Sequence, residues 1–152
     1  MKNLLFILFA ALLIISCGQK PAEESQEPET ESTEEVTAVD DGVFFVFPND
    51  GETVNSPVMV GFGVSGMEVK PAGQVIEGEG HHHIVIDGEF VAEGTIVPAD
   101  STHIHYGKGQ KETSLELTPG KHTLTMQFAD GVHKSYGESW SKTIEITVAE
   151  IE

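Results

Sequence analysis

His81-His82-His83-Ile84-Val85-Ile86-Asp87-Gly88 is the stretch on which the fold turns. Successive side chains of a strand point to opposite faces. His82, Ile84 and Ile86 therefore share one face, and His81, His83 and Val85 the other. Asp-Gly then stops the run as a turn. The same two-residue period recurs on both sides. Val43 to Phe47 is apolar and ends at Pro48-Asn49-Asp50-Gly51. Val58, Val60, Phe62 and Val64 alternate with Met59, Gly61 and Gly63. Leu124, Met126 and Phe128 alternate with Thr123, Thr125 and Gln127 before Asp130-Gly131. Ile144, Ile146 and Val148 alternate with Glu145 and Thr147. Shorter runs are expected at Phe90 to Val97, at Thr102 to Tyr106, and around Leu115 and Leu117 before Pro119-Gly120.

No window shows helical spacing. About seven or eight short strands over residues 42–152 predict an all-β domain, an immunoglobulin-like two-sheet sandwich, with a small β-barrel as the alternative. Gly61 and Gly63 take outward positions on their strand. Close backbone packing or a bulge is favoured above a shallow ligand floor.

Upstream the composition changes. Lys2, the uncharged apolar run Leu4 to Ile15, and Ser16-Cys17 have the three parts of an export signal. The run is too short to span a bilayer core of about 30 Å. Ile14-Ile15-Ser16-Cys17 resembles a lipobox, and Cys17 is the chain's one cysteine. Residues 1–16 are thus expected to be a lipoprotein signal peptide and Cys17 a lipidated anchor to the bilayer. Residues 17–41 are expected to be the lipidated cysteine and an acidic, disordered tether. The expected location is the bacterial cell envelope, on the periplasmic or surface side of the outer membrane.

The formal net charge is −17, and the chain has no arginine. A nucleic-acid partner is excluded on that ground, because binding needs clustered cations to displace counterions. With Cys17 lipidated, no thiol remains for a disulfide, a zinc site or redox chemistry. No nucleophile elbow, zinc-protease motif or phosphate loop is present, and no catalytic residue is assigned.

All seven histidines lie in the expected β domain. Residues two apart on a strand are about 6.5–7 Å apart on one face. His81 with His83, and His103 with His105, therefore form two pairs on faces turned away from the core. On neighbouring strands these four imidazoles would converge. Imidazole is the commonest ligand for late first-row divalent ions, so these four are the candidate metal ligands, for Cu(II) or Zn(II). His82 and His122 read first as hydrogen-bonded structural histidines, and His133 as a solvated loop residue unless its loop folds over the patch. All three remain possible additional members of the site. Asp87 and Glu112 are candidates to orient the rings through hydrogen bonds.

The motifs Gly80 to Asp87, His103 to Gln110 with Glu112, Pro119 to Leu124, and Asp130 with His133 resemble the bacterial family called "domain of unknown function 4399". The likeness covers roughly residues 43 to 149. It implies an exported or lipid-anchored protein, and it implies that all seven histidines belong to the family pattern. It implies no activity. Lys134 to Ser141 departs from the His/Pro-rich loop expected after His133. The expected function is a membrane-anchored binding module for a divalent metal or a small ligand. The alternatives are a non-metal structural or interaction domain in envelope assembly and, behind it, a metalloenzyme.

Overall fold

A computed structural model describes residues 40–150. The expected signal segment, Cys17 and nearly all of the expected tether lie outside the described residues.

The domain is a two-layer β-sandwich. The strands in chain order are β1 Gly42–Phe47, β2 Thr53–Val54, β3 Val58–Ser65, β4 Glu68–Val69, β5 Glu79–Ile86, β6 His103–His105, β7 Glu112–Leu115, β8 Gly120–Ala129 and β9 Ser141–Val148. A single 3-10 turn, Glu138–Trp140, precedes β9. One sheet has the order β1-β3-β7. The other runs β2-β9-β8-β5-β4, and β6 pairs with the same edge of β5 as β4 does. Two of the strands are only two residues long.

The inner faces follow the period of two. Val58, Val60 and Phe62 of β3 meet Ile84 of β5, Leu124, Met126 and Phe128 of β8, and Ile144, Ile146 and Val148 of β9. Burying a side chain such as Phe62 or Phe128 stabilises the fold by about 1.5–3 kcal/mol. In the other sheet, Phe47 and Phe44 lie over Gly61 and Gly63, where a Cβ would collide with the rings. The missing side chains admit two aromatic rings.

The register of β5 against β8 sets up everything that follows. His82 faces Phe128, Ile84 faces Met126 and Ile86 faces Leu124, all toward the core. On the opposite face His81 pairs with Ala129, His83 with Gln127 and Val85 with Thr125. This outer face is not open to solvent: His81, His83, Thr125, Gln127 and Ala129 are each 0% exposed. The chain between β5 and β6 and the turn after β8 cover it.

Phe90 to Val97, expected as a strand, is irregular covering chain with one isolated bridge, Ile96 to Lys134. Its backbone bonds go partly to the main chain of the turn after β8 (Gly94 N to Ser135 O, Val97 N to His133 O, Ser135 N to Thr95 O) and partly to side chains of β8 and that turn. Gln127 Oε1 accepts from Val91 N at 3.0 Å, and Ser135 Oγ donates to Val91 O at 2.6 Å. Thr125 Oγ1 donates to Gly88 O at 2.7 Å, and the Gln127 amide donates to Gly137 O at 3.0 Å. Polar residues on the outer face of β8 thus act as anchors for a lid of chain, which explains how they are buried without being left unpaired.

Candidate metal centre

The histidines lie on three pieces of chain. His81 and His83 are on the outer face of β5. His105 is on β6, directly opposite His83 in the antiparallel register. His133 is in the turn after β8, Asp130 to Lys134. Asp130 builds that turn: its Oδ1 accepts from Val132 N and Lys134 N, each at 2.9 Å, while its backbone nitrogen donates to Lys134 O. His133 takes φ 68° there, in the left-handed region that costs an L-residue about 1–2 kcal/mol. Its nitrogen donates to Asp130 O and its carbonyl accepts from Val97 N. That conformation turns the imidazole over β5.

His133 Nδ1 lies 2.9 Å from His81 Nε2, 3.3 Å from His83 Nε2 and 3.2 Å from His105 Nδ1. His81, His83 and His133 each offer a ligand atom within 4.8 Å of the others. The His83 and His105 rings stand 4.4 Å apart at their centroids. His105 Nε2 donates to Pro98 O at 2.6 Å. A neutral imidazole carries one proton, so this bond leaves His105 Nδ1 as a bare lone pair facing the group. A ring nitrogen has either one N–H or one in-plane lone pair. His133 Nδ1 can therefore satisfy only one of its three nitrogen neighbours by hydrogen bonding.

Burial favours the neutral form of His81, His83 and His133. Burial pushes His81 down to about 4, helped by the charges His133 and His105 would carry and opposed by Asp130. Burial first, then the neighbouring histidines, takes His83 to about 2 against the Gln127 backbone. His133 is lowered by burial and by His105, with Asp130 opposing. Neutral imidazole is the form that binds metal.

The other expected site residues are elsewhere. His103 shares a face with His105, but its Nδ1 donates to Asp100 Oδ1 at 2.9 Å. The same oxygen accepts from Thr102 N, Thr102 Oγ1 and His103 N, which holds the Asp100 carboxyl below its ordinary range. His103 thus belongs to the turn that starts β6. His82 is in the core between Phe62 and Phe128, its ring centroid 4.9 Å from each. Neither of its nitrogens has a protein partner, and burial takes it to about 3.

His122 donates from Nδ1 to Asp87 Oδ2 and from Nε2 to Thr118 O, each at 2.9 Å. Two acceptors suit an imidazolium. Burial alone lowers its pKa, but these bonds and the Asp87 charge outweigh burial and raise it. Asp87 orients His122, not the four converging rings. Glu112 is exposed on β7, in the other sheet, opposite Gly61. The Pro98 carbonyl orients His105, whereas His81 Nδ1 and His83 Nδ1 are buried with no hydrogen-bond partner. Nothing in the sequence marks Pro98 for that role. The signal that pointed to His133 was the family pattern, not strand periodicity.

Comparison with solved structures gives an endo-beta-1,4-mannanase from Thermotoga petrophila at 14% identity and TM-score 0.45. The match covers 76% of this chain and 21% of that one, and so weak a likeness carries no argument about function. No curated protein matches this chain. The family model described as "Domain of unknown function (DUF4399)" matches residues 60–149, a span that holds all seven histidines and both covering segments, and on that match the chain belongs to the DUF4399 family.

Proposed function

We propose that this protein is a lipid-anchored envelope protein whose β domain binds a late first-row divalent metal through a buried histidine cluster. The observation that supports metal binding is the convergence on His133 Nδ1. Three other ring nitrogens approach it within 3.3 Å, and neutral histidines cannot resolve that by hydrogen bonding. A cation among His81, His83 and His133 would take up the lone pairs that those three rings turn toward one another. Thiolate is absent from the expected mature chain, so the donors are imidazoles, suited to Zn(II) or Cu(II). Anchoring rests on the signal-like segment and Cys17.

The test is calorimetric titration of the full chain in detergent with Zn(II) and with Cu(II). A Kd below about 10 μM for at least one ion, lost on His81→Ala with His133→Ala, is expected. If neither ion binds, the reading is wrong. Anchoring is tested by metabolic labelling with a fatty acid, which should mark the parent and not Cys17→Ala.

A second reading, an interaction domain without metal, has one observation in its favour. Phe44, Val46, Phe47 and Met59 leave apolar surface exposed on the three-stranded sheet. Under that reading, histidine substitutions lower the melting temperature and metal has no effect on it.

A further inference from the structure

We propose that His81, His83 and His133 are the whole protein ligand set, and that the ion's remaining position is open to a small hydroxylic ligand, water above all, which donates a hydrogen bond to His105 Nδ1. This rests on the metal-binding reading above. It adds the class of external ligand and a role for His105 outside the ligand set.

The geometry separates the trio from the fourth ring. His81, His83 and His133 offer ligand atoms that all lie within 4.8 Å of one another, and His105 is not in that group. His105 Nδ1 reaches the group at His133 Nδ1, 3.2 Å away. Among the described residues, no cysteine or carboxylate joins the trio. A structural zinc site is closed by four protein ligands, whereas a site with three keeps a place for an external one.

The lone pairs decide what fills that place. His105 Nε2 donates to Pro98 O at 2.6 Å, so Nδ1 carries a lone pair and needs a donor. In the metal-free protein the His133 ring can supply one from Nδ1. An ion held by His133 Nδ1 leaves that nitrogen with no hydrogen to give. A hydroxylic ligand on the ion restores the donor. With a metal–oxygen bond of about 2.0–2.2 Å and a hydrogen bond of about 2.6–3.2 Å, such an acceptor stands about 4–5 Å from the ion. That is the place of a ring that approaches one ligand nitrogen without joining the ligand group.

Access agrees. His81 and His83 are wholly buried, and the covering chain closes that side. His105 and His133 are part exposed, so the open position faces solvent between β6 and the turn after β8. A small anion without hydrogen, such as azide, could enter there too. It has nothing to donate to His105 Nδ1, and its negative charge meets that lone pair.

Two measurements on the full chain in detergent test this. In the first, the Zn(II) form is labelled with 15N-histidine. The rings of His81, His83 and His133 should each show one metal-ligated nitrogen, and His105 should remain an unligated Nε2–H tautomer. In the second, the Co(II) form is titrated with sodium azide and followed by its visible spectrum. A saturable change is expected as azide displaces the solvent ligand. His105→Ala and His105→Phe should each bind azide about threefold or more tightly than the parent, since the displaced water has lost one hydrogen bond. A metal-ligated shift at His105 would overturn the assignment. So would a cobalt spectrum that azide leaves unchanged, or azide affinity no higher in either variant. In each of those cases metal binding stands. Absence of binding by Co(II), Zn(II) and Cu(II) alike would overturn both. The parent spectra decide the ligand set and the open position whether or not a variant folds.

Discussion

His133 reaches His81 across 52 residues of chain, with Nδ1 and Nε2 2.9 Å apart. The contact depends on one unusual backbone position, φ 68° at a residue with a β-carbon. Strain held at a candidate ligand is a common mark of a functional position.

Glycine at that position should separate the two roles. His133→Gly removes the left-handed cost of about 1–2 kcal/mol and incurs about 0.5–1 kcal/mol of chain entropy. The metal-free variant should melt no lower than the parent. Its melting temperature should no longer rise when Zn(II) is added. Paired thermal melts, with chelator and with metal, check both statements.

His103 and His105 are two residues apart on one strand, yet their substitutions should diverge. His103→Ala breaks a part-exposed pair with Asp100 and should cost under about 1 kcal/mol of stability. Metal affinity should stay within about threefold of the parent. A tenfold loss in the calorimetric titration would place His103 in the coordination shell.

His82 offers a test of the core. Both ring nitrogens are buried without a protein partner among aromatic rings. An unpaired buried polar group costs about 1–3 kcal/mol. Leucine has nearly the same volume, so His82→Leu should raise the urea midpoint and leave metal affinity unchanged. A lower midpoint would mean that the imidazole is hydrogen-bonded in solution.

Acid should destabilise the metal-free domain. A free imidazole titrates at about 6.5, while folding takes His81 to about 4, His82 to about 3 and His83 to about 2. Between the folded and unfolded values, the unfolded chain binds more protons. Stability from these groups is complete above about pH 6.5 and is lost as pH falls toward and through about 4. His122 has the opposite sign: its pKa is raised, so its contribution is present at low pH and lost as pH rises through the folded value. Four lowered histidines, His133 included, outweigh the one raised. The urea midpoint with chelator present should therefore be lower at pH 5 than at pH 7.5.

Much of the sandwich was legible in the chain because strand alternation is local. The period of two assigned Ile84, Met126, Phe128 and Ile146 to the core from spacing alone, since burial of one face selects that pattern. It also put His81, His83 and His105 on outward faces, while the pairing of β5 with β6 and its register came from the tertiary structure. Phe90 to Val97 misled the same rule. An apolar run with β propensity reads as a strand, but its backbone groups are met by scattered partners distant in sequence: the Gln127 and Ser135 side chains at Val91 and the main chain of His133 and Ser135 at Gly94, Thr95 and Val97.

By itself, then, the sequence determined the strand faces and the expectation that any metal chemistry must rest on histidine, since Cys17 is the one thiol and is expected to be lipidated. Tertiary structure decided which histidines meet. His103 and His105 carry the same local signal, yet Asp100 captures one and Pro98 orients the other. His133 carries no strand signal, yet it becomes the hub. The difference lies in how two loops close over a sheet face. Loop closure is governed by long-range hydrogen bonds and a strained turn, and neither leaves a periodic trace in the residues that depend on it.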